Sequence, residues 1–301
     1  MLIDIATVER ETGIGKDTLR VWEKRYGFPL PTRDERDVRL YTQDQVAQLM
    51  LIKRLLSNGL RPSKVVGLSV ADLNALLPAA SNPDTPATIE HLHLIELIKA
   101  HKSVELRIAL SRILLQQGMS DFLSKTIDSM NKLVGEAWMA GGLRIFEEHL
   151  YSDQIVSILR NAISTMSDPT ASPRILLATL PGEEHSLGLL MAEAMLNLSG
   201  ASCVLLGTQT PIQEIVAAST AHHSDIVVLS FSEAFSPVQL KAALPQVRRA
   251  LPDNIELWVG GGGVIRQRNV IEGVQVMGPL SDLSDAVNAW RSIESQGDLM
   301  E

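Results

Sequence analysis

The chain has 301 residues, 45% hydrophobic, 21% charged and 4% aromatic, with a formal net charge of −8; that length allows two or three domains, and that balance is typical of a soluble globular protein. The single cysteine, Cys203, excludes an intrachain disulfide and a cysteine-rich metal site. No apolar stretch reaches the ~18 residues a membrane helix needs, and the amino terminus lacks a basic-then-apolar export signal, so a cytoplasmic protein without a membrane partner is expected. The charge is uneven: residues 1–68 hold 12 Lys and Arg against 9 Asp and Glu, net +3, which leaves net −11 for the rest. A basic head on an acidic body places any polyanion contact in the head.

From the amino end, residues 3–12 read as a short helix, with Ile5 and Val8 as an i, i+3 apolar pair. Gly13-Ile14-Gly15 reads as a tight turn, and 16–26 as a second helix with Leu19 and Trp22 inward. Two short helices about a glycine turn form a helix-turn-helix, whose second helix enters the major groove. The prolines at 29 and 31 exclude helix, so 28–41 reads as a hairpin, or wing, carrying Arg33, Arg36 and Arg39. Thr42 caps a third helix over 43–58, ended by Gly59, and Arg61-Pro62-Ser63 starts a fourth. The run from Thr18 to Gly27 (TLRVWEKRYG), the wing ending Arg39-Leu40-Tyr41, and 52–60 (IKRLLSNGL) together resemble the winged-helix head of the MerR-type transcription regulators. That resemblance implies that Lys16, Thr18, Arg20 and Arg25 face double-stranded operator DNA, with Arg33, Arg36 and Arg39 on the flanking backbone. The plain alternative is a solvated basic helix on a protein-interaction module.

The head is assigned 1–70 and a linker 71–88, where 77–87 carries three prolines. No long dimerisation helix follows the head, so a homo-oligomer, dimer or tetramer, must form through the downstream body. Residues 89–168 have helical periodicity throughout: 89–100, 104–117, 119–138 and 143–166, with breaks at Gly118 and Gly141-Gly142, read as a four-helix bundle. Trp138 ends the third helix and Glu148-His149 lie on the fourth. Taken singly these read as a packing residue and a satisfied histidine. The spacing of Trp138, nine residues, then Glu148-His149 resembles the bundle cap of the cobalamin-dependent photoreceptor regulators (the CarH and LitR group). It implies that Trp138 packs near the adenosyl group of adenosylcobalamin, with Glu148 and His149 beside it. Sensors of this group can carry a His directly after the Trp that ligates cobalt after photolysis, and Met139 stands there. Either the light product lacks that ligand, or a thioether or another His replaces it, or photosensing has been lost.

Residues 172–301 repeat apolar run, loop and helix: 174–179, 202–206, 225–230 and 256–259, a strand near 274–277, and a last helix over 283–293. Alternating strands and helices imply a doubly wound parallel sheet, a Rossmann-like domain. His185 follows the first strand, Ser230 ends the third, and Gly260, Gly261, Gly262 and Gly263 follow the fourth, so all fall at one sheet edge. The dinucleotide fingerprint and the P-loop are absent from the first strand. Glu183-x-His185-x-x-Gly188, Ser230-x-Ser232 and the glycines resemble the cobalamin-binding domain, whose usual motif is Asp-x-His-x-x-Gly, Ser-x-Leu and Gly-Gly. The resemblance implies His185 as lower axial cobalt ligand, Glu183 as its orienter, Gly188 as a close-packing glycine, Ser230 and Ser232 beside the nucleotide tail, and the four glycines as its channel.

The expectation is therefore a winged helix-turn-helix head, a four-helix bundle and a Rossmann-like cobalamin-binding domain, forming a regulator rather than an enzyme. The resemblance implies a repressor whose oligomerisation and DNA binding are controlled by adenosylcobalamin and by light. Two other readings stay open: a corrinoid enzyme module, for which no catalytic domain is present, and a MerR-type regulator tuned to another ligand or working as an interaction surface. Haem is a specific case, since His185, His149 and Met139 could ligate iron.

Overall fold

The computed structural model describes residues 2–57, 60–76, 88–139, 142–233, 235–265 and 272–297. Contacts divide the chain into two units, one of residues 1–88 and 133–144, the other of 89–132 and 145–301.

In the first unit a strand precedes the first helix. β1 (Leu2–Asp4) pairs antiparallel with β3 (Arg39–Thr42), which also pairs with β2 (Thr32–Arg33). The expected helix from residue 3 therefore starts at Ile5, as α1 (Ile5–Thr12). Asp4 sets that boundary, because its carboxylate accepts from the backbone N–H of Ala6 (2.9 Å) and Thr7 (3.1 Å). Gly13, at φ 62°, ends α1, and α2 (Lys16–Tyr26) buries Leu19 and Trp22 as the pattern required. Thr42 and Gln45 cap α3 (Gln43–Ser57) reciprocally, each side chain accepting from the other's backbone N–H (3.2 and 3.1 Å). Val46, Leu49, Ile52 and Leu55 carry its buried face. After α4 (Pro62–Val65) comes α5 (Val70–Leu76). The stretch assigned to a linker from residue 71 thus begins as a helix: the Ser69 hydroxyl accepts from Asp72 N–H, and Leu73 is fully buried. Asn58-Gly59, 77–87 and Gly141 lie outside the described residues.

The bundle helices are α6 (Ile89–Lys99), α7 (Ser103–Gln117), a third helix over 119–139 and α10 (Ile145–Met166). The third is interrupted: α8 (Met119–Asp121) passes through a π-helical turn (Phe122–Ile127) into α9 (Asp128–Met139). Phe122, Leu123 and Ile127 in that turn are fully buried, so the wider turn brings three large side chains to one interior. Tyr151 on α10 donates to Asn131 Oδ1 (2.9 Å), and the Asn131 amide lies 3.7 Å from Met191 Sδ on the first helix of the sheet region.

The second sheet is fully parallel, in the order β5-β4-β6-β7-β8, comprising β4 (Arg174–Ala178), β5 (Ser202–Gly207), β6 (Ile226–Ser230), β7 (Glu256–Gly260) and β8 (Val274–Val276). β4 and β6 are buried almost end to end, which is why both read as unbroken aliphatic runs. α11 (Leu187–Leu198) and α15 (Asp282–Gly297) pack together, as do α12 (Ile212–Ala221) and α13 (Pro237–Ala250). Arg291 on α15 donates to the carbonyls of Ser172, Ser199 and Gly200 at 2.6–3.0 Å, fastening the approach to β4 and the end of α11. β4 has β5 on one side and β6 on the other, so the chain reverses its direction of travel across the sheet there. That switch point opens a crevice at the carboxyl ends of β4 and β6.

Candidate cobalamin site and DNA-binding face

The crevice holds the residues the motif picked out. After β4 the chain turns at Leu180–Glu183, where Glu183 N–H donates to the Leu180 carbonyl (3.0 Å). This carries the Glu183 side chain inward until it is 1% exposed. Its two oxygens are fully used. Oε1 accepts from His185 N–H (3.0 Å) and lies 2.7 Å from His185 Nδ1, while Oε2 accepts from Ser232 N–H (2.7 Å) and Ser232 Oγ (2.8 Å). Burial pushes Glu183 up, but the hydrogen bonds from His185 and Ser232 outweigh it and hold the carboxyl below the ordinary range. The bond to Glu183 raises His185 above the ordinary imidazole value against the opposing effect of burial, with smaller contributions from the charges of Glu183, Glu148 and Glu184. A buried anion on Nδ1 fixes the proton there and leaves Nε2 as the free lone pair. The ring is 62% exposed, and Nε2 has no hydrogen-bond partner among the described residues. This donor set fits a metal-centred planar cofactor: one accessible imidazole nitrogen with its tautomer fixed from behind.

The small residues nearby divide into two kinds. A Cβ on Gly188 would stand 3.2 Å from Ser230 Oγ, so helix α11 and strand β6 approach closely at the crevice. The four glycines after β7, expected as an open channel, mostly face protein. A Cβ on Gly261, which has φ +98°, would lie 2.3 Å from the Phe231 carbonyl oxygen, one on Gly263 2.4 Å from that of Ser232, and one on Gly262 2.6 Å from Glu233 Cγ. Gly261 and Gly263 let the β7 loop lie against the backbone that presents Ser232, and Gly262 leaves room for the Glu233 side chain. Gly260 alone has ordinary clearance, 3.6 Å to Met277 Cβ.

On the bundle, Glu148 accepts from Ser152 Oγ (2.6 Å) and its other oxygen lies 3.7 Å from Nε2 of the exposed His149. The Glu148 charge adds a small upward push on His185. Trp138 is half-buried near the end of α9, where Gly142 and Leu143 N–H both donate to the Ala137 carbonyl (2.7 and 3.2 Å). The Met139 side chain lies outside the described residues. Two features escaped the pattern. Glu147, buried, bonds His101 Nε2 (2.8 Å), and Ser232 proves to be the second partner of the orienting carboxylate. Only Ser232's short spacing from Ser230 hinted at the latter.

In the head, Lys16, Thr18, Arg20, Arg25, Arg33 and Arg36 are exposed. Three carry loose acidic partners: Lys16–Glu9 (3.4 Å), Arg20–Asp17 (2.8 Å) and Arg33–Asp37 (2.7 Å). Arg25 lies over the Tyr26 ring, 5.4 Å from its centroid. Arg39, expected on the DNA backbone, is turned inward instead: its Nε donates to Glu23 Oε2 (2.8 Å), and both side chains are about three-quarters buried. It joins wing to recognition helix.

Comparison with known proteins agrees with this division. Residues 3–69 match the MerR HTH family regulatory protein model, and residues 173–286 match the B12 binding domain model. The chain is 31% identical over 254 residues to the HTH-type transcriptional repressor CarA of Myxococcus xanthus, covering 83% of each. It belongs to the B12-binding MerR-type transcriptional regulators. The repressor CarH of the same organism is 29% identical over 284 residues, covering 88% of this chain and 90% of that one. A monomethylamine corrinoid protein of Methanosarcina barkeri shares the fold, with a TM-score of 0.50 and 16% identity over 65% of this chain and 96% of its own. As a member of this family the chain is a cobalamin-binding, DNA-binding regulator and not an enzyme. Among the described residues no helix is long and apolar enough to cross a membrane.

Proposed function

We propose that this regulator is a repressor whose hold on its operator is set by adenosylcobalamin, with light as the signal. When bound, the cofactor supplies a cobalt–carbon bond that light can break. His185 would hold the cobalt through Nε2. Glu183 keeps the proton on Nδ1, and Ser232 keeps Glu183 ionised and in place. Ser230, Ser232 and Gly260 would line the path of the nucleotide tail, Gly188 lets α11 approach β6 closely, and Gly261, Gly262 and Gly263 hold the neighbouring loop close. Trp138 and Met139 would serve the adenosyl group, as would Glu148 and His149. Lys16, Thr18, Arg20 and Arg25 meet the operator, and Arg33 and Arg36 its backbone. The dark form is a homo-oligomer, dimer or tetramer, pairing half-sites about one helical turn apart, and it comes apart in the light. Such a switch requires that the dark cofactor favour the assembled state over the separated one.

The observation that carries this reading is the buried Glu183 bridge between His185 Nδ1 and Ser232, with Nε2 left accessible. The test is to load the protein with adenosylcobalamin in the dark, desalt it, and record its spectrum, elution volume and operator binding before and after green light. A retained cobalamin band that changes on illumination, with loss of the oligomer and of operator binding, is expected. A retained band with no light response would leave a cobalamin-level sensor and remove light from the proposal. No retained band would remove adenosylcobalamin.

A further inference from the structure

We propose that Thr179 is a positioning residue for the axial histidine, tying the ligand loop to the loop after the edge strand. The inference rests on the reading of His185 as the cobalt ligand. Thr179 directly follows β4 and is fully buried. Its hydroxyl donates to the Glu183 carbonyl (2.7 Å) and accepts from Gln209 N–H (2.9 Å). Its backbone N–H donates to the Gly207 carbonyl (3.0 Å), and its carbonyl accepts from Thr210 N–H (2.8 Å). Every polar atom of the residue is therefore engaged, and its partners are the end of β5 at Gly207, the loop that follows it and the loop that carries Glu183.

The geometry around Thr179 has a specific purpose in the site. Pairing of β4 with β5 slips by one residue just before it: Leu177 faces Leu205, but Ala178 faces Gly207. The slip brings the 207–210 loop level with the Thr179 hydroxyl. Gln209 sits at φ 57°, a left-handed conformation that a non-glycine residue rarely adopts, and its N–H is one of the two groups bonded to that hydroxyl. The other bond fixes the backbone of Glu183, whose carboxylate in turn orients His185. The chain of contact runs from Gln209 through Thr179 and Glu183 to the His185 ring. Thr179 touches neither cobalt nor corrin; it acts by keeping Glu183 where its carboxylate meets Nδ1 and Ser232 together.

The test compares full-length wild type with T179V, T179S and H185A, each titrated with adenosylcobalamin in the dark. The readouts are affinity and the spectrum that separates histidine-ligated from histidine-free cobalamin. Thermal unfolding of the cobalamin-free proteins checks that each is folded. Valine keeps the shape but loses both hydroxyl bonds. T179V should bind about tenfold more weakly, the low end of the range for losing a group that supports a metal ligand, and should hold a larger histidine-free fraction at saturation. T179S, which keeps the hydroxyl, should restore the ligated spectrum. If T179V does not fold, T179C serves instead, and it should fall between wild type and H185A. A folded T179V or T179C with wild-type affinity and spectrum, while H185A is histidine-free, would overturn the role of Thr179. A wild-type spectrum in H185A would instead remove the ligand assignment on which the proposal stands.

Discussion

In the helix-turn-helix head, the side chains proposed to meet DNA stand in water, and Lys16, Arg20 and Arg33 each lean on an exposed or part-exposed acid. At the sheet edge the His185 ring is equally open, but the carboxylate behind it is sealed and four times hydrogen-bonded. The head spreads its affinity over many replaceable charges. On the proposed assignment the sheet edge would concentrate its affinity in one nitrogen, with Glu183 and Ser232 stacked behind it. Losing one member should therefore be mild in the first region and severe in the second.

The largest expected effect is at the ligand itself. H185A should retain adenosylcobalamin so weakly that desalting removes it, a loss beyond the ~10–100-fold that a supporting residue costs; retention at the wild-type level would abolish the contrast. E183Q comes next. It should lower affinity by about 10–100-fold and raise the histidine-free fraction, because an amide cannot accept all four bonds.

The pH dependence sharpens the contrast further. Glu183 is held low, so its contribution to stability is full above the ordinary carboxylate value and fades as pH falls through the lowered one. His185 is held high, so its contribution is full below the ordinary imidazole value and fades as pH rises through the raised one. The cobalamin-free protein should therefore gain most from this pair in the mildly acidic window between the two ordinary values. Cobalt needs Nε2 without its proton, so ligation should follow the opposite trend and fade as pH falls through the raised imidazole value. Thermal unfolding of cobalamin-free wild type and E183Q across pH, beside a spectral titration of the loaded protein, checks both; E183Q should lose the window.

In the head, R39A should cost about 1.5–3 kcal/mol of stability, as expected for a hydrogen bond between charged groups, and would be read as a lower unfolding midpoint. R36A should leave that midpoint alone, weaken operator binding evenly across sequences, and reduce the salt slope by about one. If R36A were instead as damaging to DNA binding as H185A is to cofactor binding, affinity in the head would not be dispersed.

The sequence carried the fold class because each layer has its own periodicity, and it carried His185, Glu183 and Gly188 because their spacing spans a strand end and a helix start. It could not show Thr179, since a threonine closing an aliphatic run looks like any strand residue; its role depends on a slip in strand pairing with a segment thirty residues away. Arg39 misled for a related reason. In a wing, arginines three residues apart all read as outward, and only the tertiary position of Glu23 turns one of them in. The strand at Leu2–Asp4 was hidden because three residues are too few for a pattern. The π-helical turn was hidden because its residues suit an α-helix equally well. The glycines after β7 were legible as a site of close approach, but whether ligand or backbone does the approaching is fixed by the loop at Phe231–Glu233.

The Arg291 clamp bears on how the protein is made. Its guanidinium holds the carbonyls of Ser172, Ser199 and Gly200, so the first strand and first helix of the sheet wait for a residue more than ninety positions later than the last of them. The last helix of the head ends at Leu76, and the unit it belongs to also takes in residues 133–144. Domains fold as units while the ribosome works, at roughly 5–20 residues per second, so the unit that holds the helix-turn-helix, which ends at Arg144, is made on the order of ten seconds before Arg291 can fasten the sheet. Each new molecule passes through an interval in which it has a reader of DNA and no means yet of receiving a signal.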